Sequence, residues 1–371
     1  MSQRLVSSLE LPDFHLWEKV QAKRIPLAFN LEVTARCNND CRHCYINLPA
    51  VHPEAKAREL SPEGIFKIAR EAVSLGALWC LLTGGEPLLR EDFPEIYLGL
   101  KRLGLLVSVF TNACLITPGH VELFRKYPPR DLEVTVYGVT PETYEAVTRR
   151  PGSFAAFRAG LEGLLKGGVK VRLKAMALKA NLHELSEIGR FCRKHTRDYF
   201  RFDPLLQLRY DGNLQRNEEI IAQRLSPEEI VALEQADADR WPALQRNCGN
   251  LIASEAPPAG RDRLFHCGAG LKSFMVAWTG VFRLCDSLCH PGCVYDLGQG
   301  SLREAWEELV PLVRERRSRN AEFLEKCGAC PLTNLCMWCP ASAHLESGRL
   351  DGWVEYFCRV AKARAQALMR V

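Results

Sequence analysis

No uninterrupted apolar run of about 18 residues occurs in this sequence, which removes the ordinary signal of a membrane-spanning helix. The first twenty residues, MSQRLVSSLELPDFHLWEKV, hold no apolar core of signal-peptide length, so the chain is expected to be cytoplasmic. Charge of one sign is missing too. Against 49 basic residues stand 44 acidic ones, and the net +5, spread along the chain, argues neither for nor against an anionic ligand. No nucleic-acid or membrane partner is expected. Internal repeats and low-complexity tracts are absent, which excludes solenoid arrays. What remains is a globular chain of 371 residues, 47% hydrophobic and 25% charged, long enough for two domains at roughly 150 residues each. Cysteine, by contrast, is abundant. Sixteen cysteines in a reducing compartment favour metal binding over disulfides.

Residues 27 to 207 alternate short apolar runs with helical patterns. The predicted strands are 27–34, 78–83, 105–111, 132–138, 169–178 and 199–206, most of them apolar throughout, as strands buried on both faces are. Helices between them carry start signals, Ser61 before Pro62 and Thr140 before Pro141, and several end at glycine, as at Gly76, Gly104 and Gly167-Gly168. Six β/α units in a row imply an α/β fold with a parallel sheet, either open and doubly wound or curled into a partial barrel. From about 215 the pattern changes to a charged helix, SPEEIVALEQADADRW, with Ser226 and Glu229 spaced as a capping box, followed by loop. Residues 254–263 read as a linker. Beyond it the chain is cysteine-dense and poor in strand pattern, with one good helix, SLREAWEELVPLVRERR, again opened by a capping box of Ser301 and Glu304. Nine of the sixteen cysteines fall between 267 and 358, so this segment is expected to fold around metal.

The stretch EVTARCNNDCRHCYINLP (32–49) places Cys37, Cys41 and Cys44 on one loop at the end of the first predicted strand. That is the carboxyl edge where parallel α/β sheets assemble their sites. Structural zinc wants four ligands, and His43, directly before Cys44, is the only nearby fourth. A cubane cluster held by three cysteines keeps its fourth iron open, as a catalytic metal needs. A zinc knuckle and unrelated buried thiols are the plainer readings. Further along, TGGEP (83–87) follows the second strand. Its two glycines allow close backbone approach, and Glu86 can accept from a cationic amine.

C-NND-C-RH-C resembles the CxxxCxxC signature of the radical S-adenosylmethionine (SAM) superfamily. The resemblance implies a partial (β/α)6 TIM-like barrel. It implies that Cys37, Cys41 and Cys44 ligate a [4Fe–4S] cluster whose open iron binds SAM. Reductive cleavage of SAM then gives a 5′-deoxyadenosyl radical that abstracts hydrogen from substrate. Gly84, Gly85, Glu86 and Pro87 match the family's GGEP motif, which contacts the SAM amino group. By the same resemblance Thr111 and Asn112, in FTNA, and Thr135, in TVYG, line the SAM pocket, with Tyr45 or His43 on the adenine. Arg149 and Arg150, before PGSF, are placed to pair with a carboxylate or to sit at a solvated helix end.

The C-terminal cysteines run Cys267, twelve residues, Gly280, four residues, Cys285, and then CGACPLTNLCMWC with Cys327, Cys330, Cys336 and Cys339, and last Cys358. The two CxxC pairs lie too close for a zinc ribbon, whose pairs are about 15–20 residues apart. The pattern is similar to the SPASM domain, an auxiliary-cluster extension of radical SAM enzymes, and departs from it where Cys339 follows Cys336 by two residues instead of three. The resemblance gives one auxiliary cluster to Cys327, Cys330, Cys336 and Cys358. It gives the other to Cys267, Cys285 and Cys339, with Cys289 or Cys293 as a spare fourth ligand. Asp286 is expected either to act as the catalytic base of sulfatase-maturing relatives or to serve as a turn aspartate. Cys80, Cys114, Cys192 and Cys248 read as small buried residues.

The expected division is an extension (1–26), a radical SAM core (27–215), a connector (216–265), a SPASM domain (266–358) and a C-terminal helix (359–371). The expected enzyme acts on a peptide or protein side chain, draws electrons from a donor such as flavodoxin or ferredoxin, and, the leading 26 residues being few, uses a separate recognition protein or its own barrel edge. A small-molecule substrate, of sugar or tetrapyrrole type, is one alternative. A zinc-binding protein without catalysis is the other.

Overall fold

The structure is a computed structural model that describes residues 20, 22–196, 201–251 and 262–369. Outside these lie the N-terminal extension to residue 19, the first two residues of the sixth predicted strand, and the linker 254–263 except its last two residues. The side chain of Cys248 is also outside them.

Six parallel strands follow one another across a single sheet in chain order: β1 (Ala28–Thr34), β2 (Trp79–Gly84), β3 (Leu106–Thr111), β4 (Leu132–Val136), β5 (Arg172–Met176) and β6 (Arg201–Asp203). A doubly wound sheet reverses its strand order at a switch point. This one never reverses, so the helices lie outside a sheet that curls as a partial barrel. The helices begin where their caps require. In α1 (Pro62–Ser74) Ser61 accepts from the Gly64 N–H, and in α4 (Pro141–Thr148) Thr140 accepts from the Thr143 N–H.

The strands differ from a uniformly apolar reading. Along β2, β3 and β4 burial alternates: Cys80, Leu82, Val107, Val109, Leu132, Val134 and Val136 pack outward under the helices. Their neighbours in sequence point inward and include Thr83, Phe110 and Thr135, which line a chamber together with Lys174 and Met176 of β5. A barrel that is only partly closed leaves its inner face room for a ligand, so polar side chains are tolerated there.

The cysteine-rich segment contributes more strand than its sequence suggests. β7 (Ser273–Val276) pairs parallel with β1, and β8 (Val281–Arg283) and β9 (Val294–Asp296) continue antiparallel, giving a nine-stranded sheet. These strands have three or four residues, too short to show a period. They are anchored by Phe274, which stacks on Phe29 and Phe282 at 5.4 Å. The helix at 301–317 is interrupted. Pro311 has no N–H for the Glu307 carbonyl, and a π turn over Ala305–Leu309 absorbs the break, with Val310 N–H bonded to Ala305 C=O. Its capping box forms, as does that of α8 (Pro227–Ala236), preceded by α7 (Leu214–Ala222). The segment read as loop after α8 contains a further helix, α9 (Arg240–Leu251). Its Pro242 sits in the first turn, where a missing N–H costs nothing.

The C-terminal helix α10 (Glu355–Met369) begins before Cys358, which therefore lies in its first turn. Arg364 holds α10 to α8. Its Nε and Nη2 donate to the two oxygens of Glu234 at 2.9 and 2.7 Å, and its Nη1 donates to the Leu335 carbonyl. Both side chains are buried. Arg364→Met strands the Glu234 carboxylate with Arg240 alone, at 2.8 Å. The loss expected is about 3–5 kcal/mol in chemical unfolding, against under about 0.5 kcal/mol for the exposed Arg359→Met.

Candidate functional site

The cysteine loop leaves the end of β1 and is tied down at its backbone. Asp40 and Arg42 N–H groups donate to the carbonyls of Thr148 and Val147, both at 3.0 Å. Arginines from three later elements take its carbonyls: Arg149 holds Asp40 O (2.9 Å), Arg150 holds Asn38 O (2.9 Å), Arg209 holds Asn47 O (3.2 Å) and Arg216 holds Cys41 O (3.1 Å). Arg149 also pairs with the carboxylates of Asp40 (2.6 Å) and Glu219 (2.8 Å), so its carboxylate partners are the chain's own. Nothing in the sequence marks Arg209 or Arg216, which lie more than 160 residues from the loop.

Cys37, Cys41 and Cys44 line one chamber of about 400 Å3 together with His43, Tyr45, Gly84, Gly85, Thr111, Asn112, Thr135 and Asp286. Burial, and then the charges of Glu86 and of the other thiols, push the Cys37 thiol up. Burial and its two neighbours hold Cys41 well above the usual range. Cys44 is raised by burial against the opposing pull of Arg209. Backbone N–H groups of Asn39 and Asn47 reach the sulfurs of Cys37 and Cys44, each at 3.4 Å. Three soft donors crowded in a buried chamber with N–H groups aimed at sulfur suit a positively charged, thiophilic group. Among the described residues no three Cys, His, Asp or Glu side chains converge as a single metal ion requires. A cluster takes one thiolate per iron, and thiols spaced around a chamber match that demand. Cys114, which the sequence sets apart, lies beside the loop. Asn39 Nδ2 is 3.8 Å from its sulfur, and burial pushes it up to about 11.

The TGGEP turn does more for the chain than for the chamber. A Cβ on Gly84 would stand 2.1 Å from the Thr34 carbonyl oxygen, and one on Gly85 2.2 Å from that of Arg36. The close approach that needs glycine is therefore to the strand leading into the cysteine loop. Gly85 N–H bonds Thr34 O at 2.7 Å and Glu86 N–H bonds Arg36 O at 2.9 Å. Glu86 does not line the chamber. Its fully buried carboxylate accepts from Leu88 N–H (3.1 Å), the Thr111 hydroxyl (2.8 Å) and Asn112 N–H (2.7 Å). Burial raises it to about 7 in spite of these bonds. Glu86 thus positions Thr111 and Asn112, and Pro87 opens the short 3-10 turn behind it. His43 is buried against the Tyr137 ring at 5.3 Å and lowered to about 4 by burial. Tyr45 packs on Tyr210 at 4.8 Å.

Asp286 reaches the same chamber from the far end of the chain. Asn30 Nδ2 donates to both of its oxygens, at 2.8 and 2.9 Å, and burial raises its carboxyl. A second cavity, about 480 Å3, is lined by Cys267, Cys327, Cys330, Cys336, Cys339 and Cys358. Burial and then the charges of Cys336, Cys330 and Cys358 raise Cys327 to about 12, which makes these four one group. Cys285, raised by burial to about 12, feels Cys339. Cys289 and Cys293 feel the guanidiniums of Arg283 and Arg316 instead of other thiols. Cys80 and Cys192 are fully buried in the core.

The Radical SAM superfamily matches residues 31–192, which include the cysteine loop and the glycine turn. The chain is 26% identical over 331 residues to an AdoMet-dependent heme synthase of Methanosarcina barkeri, covering 85% of this chain and 92% of that protein. It is 24% identical over 338 residues to the antilisterial bacteriocin subtilosin biosynthesis protein AlbA of Bacillus subtilis, covering 85% of this chain and 71% of AlbA. Streptococcus suis SuiB bound to its precursor peptide SuiA has the same fold, with a TM-score of 0.67 at 16% identity over 95% of this chain and 82% of SuiB. Among the described residues no helix is long and apolar enough to cross a membrane. The motif-bearing loop and most of the partial barrel thus lie within the segment, residues 31–192, that is similar to the Radical SAM superfamily.

Proposed function

We propose that this chain is a radical SAM oxidoreductase acting on a peptide or protein side chain, with Cys37, Cys41 and Cys44 holding the [4Fe–4S] cluster. The observation that carries the reading is the shared chamber: the three thiols and Asp286, about 240 residues apart in sequence, line one cavity. When bound, the cluster and SAM supply one-electron cleavage to a 5′-deoxyadenosyl radical that takes hydrogen from substrate. The chain's own residues bind and orient. Thr111 and Asn112, held by Glu86, and Thr135 face the cofactor's side of the chamber. His43, neutral at pH 7, and Tyr45 give aromatic surface for an adenine. Asp286, held at both oxygens by Asn30, is placed to take a proton as substrate is oxidised. Inward side chains along the strands exclude water from the chamber.

In this reading residues 27–215 are the core, 216–265 a connector, 266–358 a SPASM domain and 359–371 the C-terminal segment, in which α10 runs to Met369, with β7 to β9 of the SPASM segment lent to the core's sheet. Cys327, Cys330, Cys336 and Cys358 hold one auxiliary cluster, and Cys267, Cys285 and Cys339 the other. A donor such as flavodoxin or ferredoxin supplies electrons. SuiB, named with its precursor peptide, and AlbA support a peptide substrate. A second reading, a tetrapyrrole substrate, is favoured by the heme synthase, which aligns along 92% of its own length against 71% for AlbA.

The test is anaerobic reconstitution followed by SAM and dithionite. Release of 5′-deoxyadenosine from a brown protein carrying about twelve irons supports the reading. A colourless protein with stoichiometric zinc and no release overturns it.

A further inference from the structure

The inner face of the sheet carries a second concentration of polar groups. Asn30 on β1, Met275 on β7 and Arg283 on β8 are in register, so their side chains leave the same face side by side. The row behind them, Phe29, Phe274 and Phe282, is buried in the core. Glu32 lies two residues along β1 and therefore on that inner face too. Only 2% of Glu32 is exposed, and its Oε2 has no hydrogen-bond partner. Two guanidinium nitrogens of Arg283, Nε and Nη1, are buried without a partner, as is the amide nitrogen of Gln207. The other end of that amide is fixed, since the Ser287 hydroxyl donates to it at 2.9 Å. Arg283 lies 4.9 Å from the ring of Tyr210, and Tyr210, Gln207 and Asp286 all line the chamber.

Native proteins leave few buried polar atoms unpaired, because each forfeits its hydration for nothing. Four such atoms beside one chamber are groups waiting for a ligand. Their character is specific. Arg283 and Gln207 are donors. Burial pushes Glu32 up to about 8, with Asp286 adding to the rise and Arg283 opposing it, so Glu32 keeps its proton at pH 7 and offers an O–H. Asp286 is occupied by Asn30. A fixed cation flanked by neutral donors is complementary to a planar anion, and a guanidinium matches a carboxylate two bonds at a time.

We propose that Arg283, Gln207 and Glu32 form a subsite that takes a carboxylate of the substrate, with the Arg283 N–H groups on its oxygens and the Gln207 amide beside them. This rests on the chamber being the substrate site, as proposed above. A carboxylate held there sets the rest of the substrate at a fixed reach from Asp286 and the cysteine loop. It selects among substrates by chemistry that an acidic side chain or C-terminus of a peptide shares with a propionate of a tetrapyrrole.

The reconstituted protein, with SAM present, is titrated anaerobically with two carboxylated probes and their neutral forms. One pair is coproporphyrin III and its tetramethyl ester, followed by fluorescence quenching. The other is a glutamate-containing hexapeptide and its glutamine, C-terminally amidated counterpart, followed by calorimetry. One acidic probe is expected to bind at least about tenfold more tightly than its neutral form, and which one does so identifies the source. Arg283→Met is expected to lose that preference, and Arg283→Lys to keep part of it. Glu32→Gln, which keeps a donor in place, is expected to bind within about threefold of the parent. Gln207→Leu, outside the sheet, is expected to weaken binding about three- to tenfold and covers the case in which Arg283→Met does not fold. Equal binding of acidic and neutral probes, or an unchanged preference in Arg283→Met and Gln207→Leu, overturns the proposal. The titration needs no turnover, so a failure of 5′-deoxyadenosine release in the parent protein is a separate result that counts against the cluster reading alone.

Discussion

Replacing Cys37, Cys41 and Cys44 together by alanine will take 5′-deoxyadenosine release down to the uncatalysed background, a fall on the order of 10⁶-fold and so below detection. The size of the effect follows from the site. The three thiols share one buried chamber, so the triple variant leaves the iron no soft ligand at that loop. The fold should survive. The loop is held by its backbone, through Asp40 and Arg42 N–H groups and the arginine contacts to its carbonyls, none of which involves sulfur. Circular dichroism and the unfolding midpoint should stay near those of the parent while iron falls by the share of one cluster. Replacing Cys327 and Cys330 instead should spare part of the 5′-deoxyadenosine release and stop formation of product. A triple variant that still releases 5′-deoxyadenosine would sink the assignment of these thiols.

The second large effect is on folding and comes from one added methyl group. Gly84 has φ +130°, a backbone conformation that costs an L side chain about 1–3 kcal/mol. The new Cβ would also overlap the Thr34 carbonyl oxygen at 2.1 Å, and backbone on both sides cannot swing away as a flexible side chain could. Gly84→Ala is therefore expected to destabilise by more than about 3 kcal/mol in chemical unfolding, with a lowered iron content because β1 and β2 must part beside Cys37. Gly104→Ala is the control, a position of positive φ with open space around its Cβ, and should lose only the backbone part, about 1 kcal/mol. Equal losses in the two variants would show that the packing of β1 against the glycine turn is not what matters.

Much of the core was legible because its signals are local. Ser61 with Pro62, Thr140 with Pro141, and the capping boxes at Ser226 and Ser301 each lie within four residues, and all form. Five of the six core strands appear at their expected places for the same reason, each being a run of apolar or alternating residues long enough to read, whereas among the described residues β6 keeps only Arg201–Asp203 of the predicted 199–206. β7, β8 and β9 were not legible. Strands of three or four residues carry no period, and their placement depends on Phe274 and Phe282 finding Phe29 some 245 residues earlier. Helix α9 was hidden by a proline that a first turn tolerates. Glycines 84 and 85 were recognisable as sites of close approach, but what approaches them, the carbonyls of Thr34 and Arg36, is a property of the folded pair of strands.

By itself the order of residues determined that three thiols stand on one loop at a strand end, that a glycine turn follows the next strand, and that a second set of thiols lies far downstream. Spacing along a chain is enough for that, since ligands on one short loop cannot be far apart. Only the tertiary structure decided that Asp286 returns to the chamber of Cys37 and Arg283 to the Tyr210 ring beside it, that Glu86 serves Thr111 and Asn112 from outside it, and that Arg209 and Arg216 clamp the loop. Those contacts depend on how the sheet curls and on which edge the last strands join, and packing energy summed over the whole core settles both.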